Sequence, residues 1–385
     1  MKAVMLFLIN FLITFGFSVS DGLFSVIFKD TIGSGIFLSL AFVFYSASKI
    51  IFSPFAGRML DRAGSERILL FSLVLYSLVS ALFIFSDNKT VILAARIVQG
   101  GACAFFRPVL LCLISSEAGY SKLGRRIGQF DISFYLALAA GPLAGGFLLD
   151  LSGNAGVFAA IAACCALSLV LFLLSAKCHD TCNVAKQHRI TDESPAANPS
   201  LNGLLVYIFF KAWGISAICM YLPLFMHAEG FSASHIGFIV GIPPLIMASF
   251  LIFTGRLADV FRKHNMIFAG GAAASLAYLC LPLASDMASI LVVITASGIA
   301  GAISQPAGSA LLLESSPEGR TGRTICLFNT VMGLGFSISP LVNGILLKLV
   351  GVGNIFVISG LLGLTSSIYF ILSSGQTVGN AAQCD

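Results

Sequence analysis

Apolar residues run along this chain in blocks of about 18 to 25, each closed by a short polar connection. As a helix rising about 1.5 Å per residue, a block of that length crosses a hydrocarbon core of about 30 Å. Twelve blocks are read, over residues 4–28, 34–56, 68–86, 91–114, 127–149, 154–176, 201–226, 234–254, 266–284, 288–313, 324–348 and 352–373. The pattern predicts an all-α polytopic membrane protein of 12 transmembrane helices. The first block has no small-residue cleavage site and continues through Asn10, Thr14 and Asp21, so it is expected to be retained, not removed as a signal peptide.

Composition agrees: 57% of the residues are hydrophobic and 10% charged, with a mean hydropathy of +0.96, whereas soluble domains hold about 45–50% apolar residues. Charge adds an orientation. With a cytoplasmic N-terminus, the inner segments hold Lys2, Arg58, Arg62, Arg67, Lys122, Arg125, Arg126, Lys177, Lys186, Arg189, Arg256, Arg262, Lys263, Arg320 and Arg323, and the outer ones only Lys29, Lys89 and Lys348. That bias predicts both termini in the cytoplasm of an inner (plasma) membrane. The net charge of +5 then follows from topology, and no nucleic-acid partner is implied. Most of the ten cysteines sit inside predicted helices as small apolar residues. Cys178 and Cys182, with His179 and His188, lack the usual zinc spacing and read as part of a cytoplasmic loop, so no metal is expected.

The second half repeats the first. Advancing by 198 residues carries Gly57 to Gly255, Arg58 to Arg256, Asp61 to Asp259, Gly100 to Gly298, Pro108 to Pro306, Gly124 to Gly322, Arg125 to Arg323, Pro142 to Pro340 and Gly146 to Gly344. One unchanged register at punctuating residues predicts two six-helix bundles of common descent, 1–176 and 201–374. The polar stretch 177–200 reads as a cytoplasmic linker and 375–385 as a cytoplasmic tail.

Several motifs now accumulate. Gly57-Arg58-Met59-Leu60-Asp61-Arg62-Ala63-Gly64 follows the second span, and a worn copy with Gly255, Arg256 and Asp259 follows the eighth; Arg96-Ile97-Val98-Gln99-Gly100 lies in the fourth and Gly141-Pro142-Leu143-Ala144-Gly145-Gly146 in the fifth. With these the chain resembles the major facilitator superfamily of secondary transporters, whose motifs read G-x-L-a-D-r-x-G, R-x-x-Q-G and, in antiporting exporters, G-P-x-x-G-G. Ser65-Glu66 depart from the basic continuation of the first motif, and Ala137 replaces a glycine that often precedes the last. The resemblance implies two bundles related by a pseudo-two-fold, a substrate site near the midplane, and spans 1, 4, 7 and 10 around a central cavity. It also implies a cytoplasmic latch in which Asp61, with Arg62 and Asp131 as charge partners, meets the positive end of a helix dipole. Gly57, Gly255 and Asp259 would belong to that gate, and Gly141, Pro142, Gly145 and Gly146 to a moving helix interface.

Charges inside the spans break the symmetry. Asp21, Lys49, Arg96, Arg107, Asp131 and Lys211 have the uncharged counterparts Cys219, Met247, Ile294, Gln305, Asn329 and Ile13. Each costs at least about 2.5 kcal/mol in a bilayer, so the six imply a polar interior. Asn10, Thr14, Ser18, Asp21 and Ser25 form a stripe at helical spacing, and Tyr207, Lys211, Gly214 and Tyr221 another. Arg96 either serves the site or ties neighbouring helices. Arg107 and Asp131 can pair as structure or gate. Lys49 can reach the interface, whereas Lys211 at mid-depth cannot.

Asp21 is the proton-carrier candidate, and substrate or coupling roles are assigned to Asp21, Arg96, Arg107, Tyr207, Lys211 and Gln305. No phosphate-binding G-x-x-x-x-G-K-[ST] loop occurs, so the expected energy source is an ion gradient, without cofactor and without enzymatic activity. The leading expectation is proton-coupled export of a small amphiphilic solute by a monomer through rocker-switch alternating access. Two rivals stay open: a carrier of organic anions or metabolites, in either direction, and a non-transporting scaffold or receptor.

Overall fold

The structure is a computed structural model describing residues 2–33, 36–63, 65–84, 88–117, 123–176, 199–314 and 321–381. Twelve α-helices follow in order: α1 (Lys2–Asp21), α2 (Phe24–Ile27), α3 (Lys29–Ile32), α4 (Ile36–Ala63), α5 (Ser65–Ile84), α6 (Lys89–Glu117), α7 (Leu123–Ala176), α8 (Pro199–Ala228), α9 (Ala233–Val260), α10 (Lys263–Cys280), α11 (Met287–Glu314) and α12 (Thr321–Ala381). Among the described residues there is no strand.

Two helices are too long for one crossing. A straight 54-residue α7 would extend about 80 Å against a hydrocarbon core of about 30 Å. Gly153 (φ 63°) divides α7, and Gly351 (φ 77°) divides the 61-residue α12. Positive φ is open to glycine and costly for other residues, so each glycine reverses the chain between two arms. Among the described residues, ten candidate spans thus hold twelve crossings, since the apolar stretches 130–174 and 327–374 each supply two. Gly153 and Gly351 are themselves 198 residues apart, so the repeat extends to these corners.

By internal packing the described residues form two units, those within 1–176 with 223–248, and those within 199–222 with 249–381. This division differs from a cut at the linker because 223–248 pack with the first unit. In that unit α1 lies along α7, α4 along α6, and α5 against both α6 and α7. Phe28, Phe83 and Phe158 meet there with ring centroids 5.6 to 6.0 Å apart. In the second unit α10 lies against α11 and α12. Large apolar side chains such as Phe71, Leu174, Phe253 and Leu372 remain exposed, as lipid-facing positions require.

One bond recurs in both units. The Ser18 hydroxyl donates to the Leu138 carbonyl at 3.3 Å, and the Ser216 hydroxyl to that of Phe336 at 3.3 Å. Donor and acceptor both advance by 198 residues. The repeat therefore extends from residue types to helix contacts.

The first predicted span is not continuous. α1 stops at Asp21, and the chain bends through Gly22 and Leu23 before α2. Gly22 packs against Pro142, whose Cγ would lie 2.6 Å from any added Cβ. Ser25 therefore lies on α2, beyond the bend, and not on the helix that carries the rest of the stripe.

Candidate functional site

Each unit holds its own polar group. In the first, the bend after Asp21 brings α1 and α2 against α6. Arg96 Nη1 donates to Asp21 Oδ1 at 2.7 Å and to Gln99 Oε1 at 2.7 Å. Gln99 Nε2 in turn donates to the two Asp21 oxygens at 3.4 and 3.2 Å. The guanidinium carbon lies 3.6 Å from the centre of the Phe24 ring, a cation–π contact made in a desolvated place. Arg96 is 3% exposed at its side chain and Asp21 36%, so one end of the pair is sealed while the other is open. Arg96 thus pairs with a carboxylate instead of merely bridging backbone carbonyls.

The rest of the α1 stripe goes into helix contacts. Asn10 Nδ2 donates to Ser133 Oγ on α7 at 2.9 Å, beside the Ser18 bond to Leu138. A polar group away from water is costly unless partnered, and a neighbouring helix is the nearest partner. Further along α6, Arg107 Nη2 meets Asp131 Oδ1 at 3.3 Å and stacks 4.1 Å from the Phe134 ring centre. At 37% and 31% exposure this pair is half-open, not buried. Lys49 is exposed.

The second unit differs in kind. Lys211 on α8 donates to Gln305 Oε1 at 2.8 Å and to Ser304 Oγ at 3.1 Å, both on α11. None of the ion pairs among the described residues includes Lys211. A recess opens beside it, of about 20 Å³, with Tyr207, Ile208, Gly308, Phe328 and Met332 in its walls. That is room for roughly one water. Polar groups thus converge at one end of a mostly apolar wall.

The Gly141–Gly146 segment serves two neighbours. Gly141 and Gly145 lie against Ser18 and the Val19 carbonyl of α1, whereas Gly146 lies against the Ala233 carbonyl of α9. Pro142 meets Gly22 on one side and, through its carbonyl, Gly237 on the other. At the counterpart positions in α12, the Ser339 hydroxyl donates to the Trp213 carbonyl at 2.9 Å, and Asn343 Nδ2 to Ser339 Oγ at 3.1 Å. At Gly57, Asp61, Arg62, Gly255 and Asp259 the structure describes the helical backbone alone, and Cys178 and Cys182 lie outside the described residues.

Sequence reasoning missed Gln99, Phe24 and Asp150 as contributors. Gln99 carried a signal, standing three residues after Arg96 on the same helical face. Phe24 had none, since its position over Arg96 depends on the bend at Gly22. Asp150 accepts from two amides of α9, a contact between residues 83 and 84 apart that no local pattern announces.

Apolar helices of membrane-spanning length, broken twice by paired glycines and carrying polar groups at discrete interior points, define a polytopic membrane protein. The Major Facilitator Superfamily profile matches residues 6–294 and again 204–382. The chain belongs to that superfamily; it is an integral multi-pass membrane transporter and not an enzyme. An uncharacterized MFS-type transporter of Methanocaldococcus jannaschii is 23% identical over 352 residues, covering 89% of this chain and 90% of the relative. Multidrug resistance protein MdtG of Klebsiella pneumoniae is 26% identical over 363 residues, covering 91% and 86%. Among solved structures, a POT family transporter in complex with 5-aminolevulinic acid matches with a TM-score of 0.85 at 12% identity, covering 97% of this chain and 96% of that one.

Proposed function

We propose that this transporter is a proton-coupled exporter of small amphiphilic solutes bearing an acidic or electron-rich group. The observation that carries the reading is Lys211, a cation held by neutral acceptors beside an apolar wall. Keeping an uncompensated charge at mid-span costs at least about 2.5 kcal/mol, which a solute anion would offset on arrival. Export is supported by the Gly141–Gly146 segment and by the multidrug resistance relative. Proton coupling is supported by the Asp21–Arg96 pair: protonating the open end at Asp21 would release Arg96 from its partner.

In this reading 1–176 and 201–374 are the moving bundles, joined by 177–200 and followed by the tail 375–385. They alternate access to the two sides of an inner membrane, in a monomer with both termini cytoplasmic and no cofactor. Arg107, Asp131, Tyr207 and Gln305 line or gate the path, and Asp61 with Arg62 latches its inner side.

Lys211 also favours a second reading, a carrier of organic anions moving in either direction, because its charge would repel a cationic drug. Proteoliposomes loaded with an anionic or a cationic fluorescent probe, with and without a pH gradient, separate the two. The anionic probe is expected to move faster under the gradient, and Lys211→Met to slow it about tenfold with folding unchanged. Equal flux of both probes in Lys211→Met and wild type removes Lys211 from the site, and no flux under any gradient leaves a scaffold.

A further inference from the structure

The first turn of α9 is capped twice. Ser232 supplies the local cap, its hydroxyl accepting the His235 amide at 3.4 Å. The Ala233 and Ser234 amides go elsewhere, donating to the two carboxylate oxygens of Asp150 at 3.1 and 2.9 Å, and the Ser234 hydroxyl donates to Asp150 as well. Asp150 ends the first arm of α7, and all these residues belong to the first unit.

Behind that clamp runs a close seam. Ala139, Pro142, Gly146 and Asp150 repeat on α7 at steps of three, four and four, and Ala233, Gly237 and Gly241 on α9 at steps of four. They share one face of each helix. A Cβ on Gly146 would meet the Ala233 carbonyl, one on Gly237 the Pro142 carbonyl, and one on Gly241 the Ala139 carbonyl at 2.6 Å. The seam is backbone against backbone, held by dispersion and by one hydrogen-bonded carboxylate clamp at its end.

The helices carrying the far side of the seam pass from one unit into the other. Residues 223–248 pack with the first unit, while 199–222 of α8 and 249–260 of α9 belong to the second. Pro223 stands at the first crossing and Pro243 and Pro244 just before the second, all inside helices. Each proline removes one backbone hydrogen bond, so the segment is bounded by points where its helices yield most easily.

We propose that Asp150 is a positioning residue that latches the 223–248 hairpin onto α7, and that opening this seam during transport requires its release from the first turn of α9. The contact is solvent-exposed, which makes it weak enough to reverse. The latch takes its meaning from alternating access, but its test needs no solute.

The test is hydrogen–deuterium exchange of the full-length, solute-free protein in nanodiscs. In Asp150→Ala the amides of 233–241 are expected to exchange about fivefold faster, the effect of losing one helix cap. Ser234→Ala should give a smaller rise in the same peptides, and Asp150→Glu should restore most of the protection. Peptides from 65–84 and 263–280 should stay as in wild type. Unchanged exchange at 233–241 in Asp150→Ala overturns the latch, and so does acceleration spread equally over all three regions. Loss of probe transport in the earlier assay would leave this result standing.

Discussion

Ser18 with Leu138 and Ser216 with Phe336 are one hydrogen bond written twice, at the same length and the same sequence separation. Arg96 and its counterpart Ile294 have only burial in common, and the half-buried Lys211 stands opposite a fully apolar, buried Ile13. The comparison separates scaffold from chemistry. This close helix contact survives in both halves, whereas each ionisable group inside the spans occurs once, with partners its own half supplies. The first unit compensates Arg96 and Arg107 with carboxylates, and the second holds Lys211 with neutral oxygens.

The largest effect should come from removing one side of a compensated pair. Arg96→Met leaves Asp21 without its cation and is expected to cost about 3 kcal/mol, read as a lower thermal unfolding midpoint. Adding Asp21→Asn should recover much of that loss. A pair that merely sat at the surface would show no such recovery in the double-mutant cycle.

Next is Gly145→Ala, which drives a methyl into the Val19 carbonyl and should cost about 1 to 3 kcal/mol by overpacking. Because α1 and α7 pack within one unit, the loss should appear in stability before it appears in transport.

Lys211→Met should act the other way. It removes a charge with no carboxylate partner among the described residues, so stability is expected to hold or rise while anionic-probe transport falls. A matching fall in stability would place Lys211 in the scaffold class with Ser18.

Ser18→Ala and Ser216→Ala should each cost about 0.6 kcal/mol, the usual scale of a hydrogen bond between membrane helices. The sharper expectation is that the two costs are equal. Unequal costs would break the equivalence on which the comparison rests.

The smallest effect concerns Asp286, which caps α11 outside the apolar spans. The Ser289 hydroxyl, together with the Ser289 and Ala288 amides, holds its carboxyl below the ordinary value. A lowered folded value means the stabilisation is present above the unfolded carboxylate value of about 3.9 and is lost as pH falls through the folded one. Asp286→Asn should flatten that part of the stability–pH curve, measured by unfolding between neutral and acid pH.

The twelve crossings could be read from the chain because block length and bilayer thickness are tied by helix rise alone. The 198-residue repeat was legible at glycine and proline, where backbone conformation dictates residue type, and Gly153 with Gly351 extends it. The bend at Gly22 was not legible, because it answers to Pro142, which lies 120 residues away in sequence. For the same reason the α1 stripe read as cavity lining although Asn10 and Ser18 are spent on α7. Spacing could show that the two residues share a face, but which neighbour that face meets is decided by tertiary packing. Asp150 was invisible for a further reason: an acid at the end of a span is ordinary until an unrelated helix begins beside it.

The corners at Gly153 and Gly351 limit how the molecule can move. At each, nothing lies within 4 Å of where a side chain would begin, so it is φ and not crowding that reserves the place for glycine. With one residue between them, two arms cannot separate at that end. They can only pivot about it, and any displacement must grow toward the opposite ends of the arms.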